Sequence, residues 1–235
     1  MLTRLTACGI PCDEGTAEAL CRYHALLTDW NARMDLTAVT EEDEMLDRHY
    51  ADSLSALKTP GLIPEGARLI DVGTGAGFPG LPLAIARPDL TVTLLDSQQK
   101  RLTFLRAVID ALGLTNVTLV HARAEDGARL PEHRGQYDLA VARAVAPLAV
   151  LCEYLLPYVR TGGKAVCWKG PALEDELQQG RRAAHLLGAR VGESIPVTFP
   201  GRDWQHRLQV IDKTGPTPKT YPRKAGTPSK QPLGT

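Results

Sequence analysis

Residues 71–80 read Asp71-Val72-Gly73-Thr74-Gly75-Ala76-Gly77-Phe78-Pro79-Gly80. The run follows a short apolar segment, Arg68 to Val72, and precedes a helix-forming one through Leu81, Leu83, Ile85 and Ala86. A strand, a glycine turn and a helix open a βα unit whose backbone a ligand can approach, because the missing side chains leave room and allow positive φ. Read from Gly75 the string is G-x-G-x-x-G, the dinucleotide pattern. Read from Asp71 it is D-x-G-x-G-x-G, an acid at the strand end with a glycine two residues on. The dinucleotide pattern normally starts at the first glycine after the strand, and from Gly73 it fails because residue 78 is Phe.

The two readings predict different ligands. A dinucleotide offers a pyrophosphate to the helix N-terminus, where Asp71 would repel it. S-adenosylmethionine has no phosphate and carries a cationic amino group that Asp71 could attract directly or through water. The loop therefore favours a methyl donor, with an NAD-dependent protein second and a tight turn without ligand as the plainest alternative.

The βα rhythm continues outward from the loop. Leu90 to Leu95 predicts a second strand, Gln99 to Leu112 an amphipathic helix, Val117 to His121 a third strand and Tyr137 to Ala142 a fourth. Ala144 to Tyr158 reads as a helix with Pro147 in its first turn. After the turn Thr161-Gly162-Gly163, Ala165 to Trp168 predicts strand five and Leu173 to Leu187 a helix. Val191 to Phe199 and Arg207 to Asp212 predict a terminal antiparallel pair. Five βα units with short loops indicate an α/β fold, a doubly wound, mostly parallel sheet.

Upstream, Leu20, Tyr23, Leu26, Leu27, Trp30 and Met34 form an apolar stripe of helical period, and Met45, Leu46, His49, Tyr50 and Leu54 form another. Residues 1–60 are expected to form a helical cap, 61–213 the sheet domain and 214–235 a basic, proline-rich tail. Five prolines and little apolar content predict a tail that is extended and orders on its partner.

With 235 residues, the length prior is about 1.6 domains, and 43% hydrophobic and 23% charged residues exclude wholesale disorder. No run reaches the ~18 apolar residues of a membrane helix, and residues 1–12 lack a signal-peptide core, so a cytoplasmic protein is expected. The 27 basic and 27 acidic residues balance, but the last 23 residues hold five cations and no acid, an end suited to phosphate. The five cysteines are irregularly spaced, which argues for reduced thiols and against a structural zinc site. His49 and His121 read as structural rather than catalytic.

At the carboxyl edge of the predicted sheet stand further candidates. Asp96 ends strand two, where a carboxylate can hold both ribose hydroxyls of an adenosine. Ala124-Glu125 follows strand three, where a backbone N–H can reach an adenine ring nitrogen and the acid can accept from the exocyclic amine. Arg143 and Lys169 end strands four and five, placed to clamp an acidic group, stack on a base or meet phosphate. They are the candidates for catalytic positioning. No [DNS]-P-P-[YFW] string marks an amino-nitrogen target, and no cysteine but Cys167, inside a strand, is near the edge to attack a carbon. Those absences favour an acceptor that is already nucleophilic, such as guanine N7, with catalysis by positioning and desolvation.

Several strings together resemble the glucose-inhibited division protein B family, methyltransferases of guanine N7 in 16S ribosomal RNA. They are Asn31 to Thr37, Arg48-His49-Tyr50-Ala51-Asp52-Ser53-Leu54, the loop 71–80, Leu94-Leu95-Asp96-Ser97, Lys100-Arg101, Phe104-Leu105, Ala124-Glu125, Ala142-Arg143-Ala144, Trp168-Lys169-Gly170 and Tyr221 to Leu233. Asp35 stands where the family often has asparagine. The resemblance implies the class I S-adenosylmethionine-dependent methyltransferase fold, with S-adenosylhomocysteine as product. It implies a donor site lined by Gly73, Phe78, Ala124, Glu125 and Arg143, with Asp96 on the ribose; Asp71, Gly75 and Ser97 are further cofactor-binding candidates. Arg123, Lys169, Arg223 and Lys230 are the implied RNA contacts, the small ribosomal subunit the partner, and a monomer the expected form. An S-adenosylmethionine enzyme acting on another acceptor is the competing reading.

Overall fold

The computed structural model describes residues 1–235. Its strands are β1 (Arg68–Val72), β2 (Thr91–Asp96), β3 (Val117–His121), β4 (Tyr137–Arg143), β5 (Val159–Lys169), β6 (Ala189–Val197) and β7 (His206–Lys213). They form one sheet in the order β3-β2-β1-β4-β5-β7-β6. The first five are parallel, and β7 runs antiparallel to both β5 and β6. The chain reverses direction of travel between β1 and β4, the switch point where sheets of this kind open a crevice at their carboxyl ends.

The helices of the sheet domain are α5 (Gly80–Ala86), α6 (Gln99–Leu112), α7 (Ala124–Gly127), α8 (Leu148–Leu155) and α9 (Leu173–Leu186); α10 (Thr227–Lys230) lies in the tail. Strand residues alternate between the faces with period two. Leu69, Leu94, Leu139 and Val141 enter a core with α5, α6 and the N-terminal helices, whereas Ile70, Leu95, Ala140 and Ala142 enter one with α8 and α9. The observed helix α8 starts later than its sequence pattern predicts. Pro147 is its N-cap and Ala144 has φ +53°, so the chain leaves β4 through a left-handed residue before turning helical. The Thr161–Gly163 turn is a bulge inside β5, where the register with β4 jumps between Tyr137–Val159 and Leu139–Lys164.

The N-terminal segment is helical: α1 (Leu2–Ala7), α2 (Glu14–Met34), α3 (Glu42–Met45), a π-helical turn Leu46–Ala51, α4 (Asp52–Leu54) and a 3₁₀ turn Ser55–Lys58. Its stripe residues Leu20, Tyr23, Leu27 and Tyr50 pack into the same core as Phe78, Leu81 and Phe104. Asp13 caps α2 by accepting from Thr16 N at 2.7 Å. Asp35 ends it in the left-handed region, φ +50°, which asparagine and aspartate enter more readily than most residues. The aspartate that departs from the resembling pattern therefore satisfies the same backbone demand. No helix is long and apolar enough to cross a membrane.

The tail departs from expectation. Pro222, Pro228 and Leu233 are buried, and α10 packs on α8. The guanidinium of Arg223 grips the wholly buried Glu153 with bonds of 2.6–3.1 Å. The segment is ordered on its own protein by these contacts, so its low apolar content was a poor guide: a buried acid supplies the docking point.

Candidate functional site

The loop after β1 is held by β2, by α2 and by the π-helical turn. Gly73 N and Thr74 N donate to Leu95 O on β2 at 2.8 and 3.1 Å. Tyr23, from α2, donates its hydroxyl to Ala76 O. A Cβ on Gly77, at φ +105°, would lie 2.7 Å from that same hydroxyl oxygen, so the cap and a glycine at 77 require each other. Phe78 lies between rings of the cap, stacked on Tyr23 at 5.3 Å and on His49 at 4.7 Å.

Asp71 is turned into the protein. Its Oδ2 accepts from Thr74 Oγ1 at 2.7 Å and from Gly80 N at 2.8 Å, its Oδ1 has no partner, and the residue is fully buried. Burial pushes its pKa up to about 6. Asp71, expected to attract the ligand's amino group directly or through water, braces the loop and lines neither of the two cavities beside it. The same bond counts against the dinucleotide reading of the glycine pattern. A dinucleotide pyrophosphate would need the free N–H groups at the start of α5, and the Gly80 N–H is already given to a carboxylate.

Beside the loop lies a cavity of about 440 Å³, within the range of small-molecule sites. Gly73, Gly75, Phe78, Asp96, Ser97, Arg123, Ala124, Glu125 and Arg143 all line it. Asp96 joins its walls, accepting from Gly75 N at 2.9 Å, Gln98 N at 2.8 Å and Arg101 Nη1 at 3.3 Å. A carboxylate has about four acceptor positions, so roughly one stays open toward a ribose. Glu125, buried at the start of α7, accepts one hydrogen bond, from Gly226 N at 2.7 Å.

Arg143 closes the far end. It donates to Arg48 O in the π-helical turn, to Asp52 Oδ2 at 3.2 Å and to His49 Nδ1 at 3.3 Å, with its guanidinium 5.1 Å from the Phe78 ring centre. Burial first, and then the Arg143 charge, push the His49 pKa down to about 4. The ring is therefore neutral at pH 7, with Nδ1 accepting from Arg143 and Nε2 donating to Thr37 Oγ1 at 2.8 Å.

A second cavity, of about 360 Å³, shares His49, Arg143 and Ala144 with the first and is otherwise lined by Asp52, Trp168, Lys169, Gly170 and His206 among others. Lys169 reaches it while paired with Glu176 at 2.6 Å. His206 Nδ1 meets Asp52 Oδ1 at 3.1 Å. The sequence reading gave Asp52, Tyr154, Arg101 and His206 no role, although Asp52 and Arg101 lie inside strings it singled out. No spacing rule joins residue 52 to residue 143; the fold does.

Of the four expected RNA contacts, Lys169 is mostly buried and paired with Glu176, and the other three divide in two. Arg123 and Lys230 are exposed. Arg223, also expected to contact RNA, has its guanidinium committed to Glu153 and to Gln231 O.

The architecture is that of the class I methyltransferases. It is shared with a SAM dependent methyltransferase from Aquifex aeolicus (TM-score 0.53, 19% identity, 72% of this chain and 92% of that one). It is shared equally with MtNAS, solved in complex with S-adenosylmethionine (TM-score 0.55, 15% identity, 86% and 74%). Within that class the chain belongs to the GidB family, rRNA small subunit methyltransferase G, whose model matches residues 16–199. The ribosomal RNA small subunit methyltransferase G of Alkaliphilus metalliredigens is 49% identical over 225 residues, 96% of this chain and 94% of its own length.

Proposed function

We propose that the protein moves the methyl group of S-adenosylmethionine to N7 of a guanine in 16S ribosomal RNA, leaving S-adenosylhomocysteine, and does so in the cytoplasm on the small ribosomal subunit. The observation that carries this reading is the pair of cavities meeting at His49, Arg143 and Ala144. The first suits a nucleoside donor without phosphates: residues 71–80 contain no cation, and the walls offer carboxylates, Asp96 for a ribose diol and Glu125 for an exocyclic amine. The second offers a base a mixed polar lining with Trp168 at its back.

The bound donor supplies an electrophilic methyl on a sulfonium. Everything else falls to positioning. Guanine N7 has a free lone pair and releases no proton, so no side chain has to act as base. Neutral His49 fits that demand, as does a guanidinium held by three acceptors. Arg143 and Lys169 orient the acceptor, and exposed Arg123 and Lys230 meet phosphates along the approach. The test is incorporation of label from S-adenosylmethionine into intact 30S subunits and into naked 16S RNA. Label in either, absent with Gly73→Val, supports the reading. Tight NAD binding without S-adenosylmethionine binding overturns it.

A further inference from the structure

The tail reaches the wall of the donor cavity through Gly226. Gly226 N, at φ +81°, donates to Glu125 Oε1 at 2.7 Å, and no other group in the protein donates to that carboxylate. Three residues earlier, Arg223 binds Glu153 through its backbone N–H (2.7 Å) and its guanidinium, and reaches forward to Gln231 O at 2.7 Å. Glu153 is wholly buried on α8, next to Tyr154, which lines the cavity. A buried carboxylate needs a partner, and here the partner comes only from the tail. The loop between Arg223 and α10 is thereby fixed over α7, with its Gly226 N–H aimed at Glu125.

We propose that residues 221–233 are part of the nucleoside site, and that Arg223 is a positioning residue which, by latching the tail to Glu153, aims the Glu125 carboxylate at the exocyclic amine of the donor's adenine. With Oε1 held by Gly226, Oε2 is left to accept from that amine. The inference rests on the donor reading above, and it turns a cationic tail residue from an RNA contact into a specificity device for the cofactor.

The experiment is calorimetric titration with S-adenosylhomocysteine and with S-inosylhomocysteine, in which a carbonyl oxygen replaces the amine. Both affinities are measured on the same preparation, so an unfolded fraction cancels from their ratio. The native protein is expected to prefer the adenosyl ligand by about 10-fold or more, the size of a hydrogen bond to a charged acceptor. Glu125→Gln, Arg223→Ala and the double variant are each expected to cut that preference to about the same residual value, because they break one chain of contacts. Arg223→Lys, a point charge without the fork, is expected to fall between Arg223→Ala and the native protein. If Glu125→Gln loses the preference while Arg223→Ala keeps it and weakens only RNA binding, the latch is wrong and the tail is an RNA contact. If Glu125→Gln keeps the preference, the donor reading of Glu125 fails and the latch fails with it.

Discussion

Replacing Arg143 by methionine tests the joint between the cap and the sheet. Methionine keeps apolar contact with Phe78 but removes every donor to Arg48 O, Asp52 Oδ2 and His49 Nδ1. The Arg143 side chain is only 14% exposed and Asp52 only 6%, so the loss leaves an acid in the interior with His206 as its one remaining side-chain partner. Breaking one side of a buried pair costs about 3–5 kcal/mol. At about 2–4 °C per kcal/mol for a chain of this size, Tm should fall by about 6–20 °C. His49 gives an independent reading. Its pKa, near 4, is depressed by burial and then by Arg143, so removing the arginine should raise it part of the way toward the ordinary value. Calorimetric unfolding and an NMR titration of the imidazole measure the two effects. A Tm within about 2 °C of the native protein, together with an unmoved His49, would refute the joint.

Three further outcomes are expected. Gly73→Val places a branched side chain at φ +75° with its Cβ 3.1 Å from Val145, on the cavity wall, and should abolish S-adenosylmethionine binding by calorimetry; a folded variant that binds normally misplaces the loop. Asp71 binds its proton more tightly folded, at about 6, than unfolded, near 3.8, so its contribution to stability falls as pH rises from about 4 to 6, by about 3 kcal/mol. Asp71→Asn should remove that fall in urea titrations, and an unchanged pH dependence would show that folding does not raise the Asp71 pKa. Lys230→Glu and Arg123→Glu should each weaken RNA binding most at low salt and flatten the salt slope by about one unit; a slope left intact by both would remove these cations from the interface.

Most of the fold was legible because its signals are local. Strands β1 and β3 and helix α6 lie where alternation and helical period place them, and the glycine loop announced the first βα unit. The start of α8 was not legible, since a left-handed alanine at 144 has no sequence mark. Nor were the contacts that make the site. Asp71 looked like a ligand group from its place at the strand end, yet the nearest donors are Thr74 and Gly80, three and nine residues on. The tail's prolines and low apolar content predict an extended segment, yet one buried ion pair, Arg223 with Glu153 across 70 residues, orders it on the protein. Asp52 and His49 meet Arg143, and His206 meets Asp52, only after the cap folds back over the sheet edge.

The acceptor atom decides between guanine N7 and every other target. Purified protein, labelled S-adenosylmethionine and 30S subunits, followed by digestion of the 16S RNA and nucleoside analysis, tests it in one step. A single labelled product, N7-methylguanosine, is expected. Label in any other nucleoside, or label confined to protein, would contradict it.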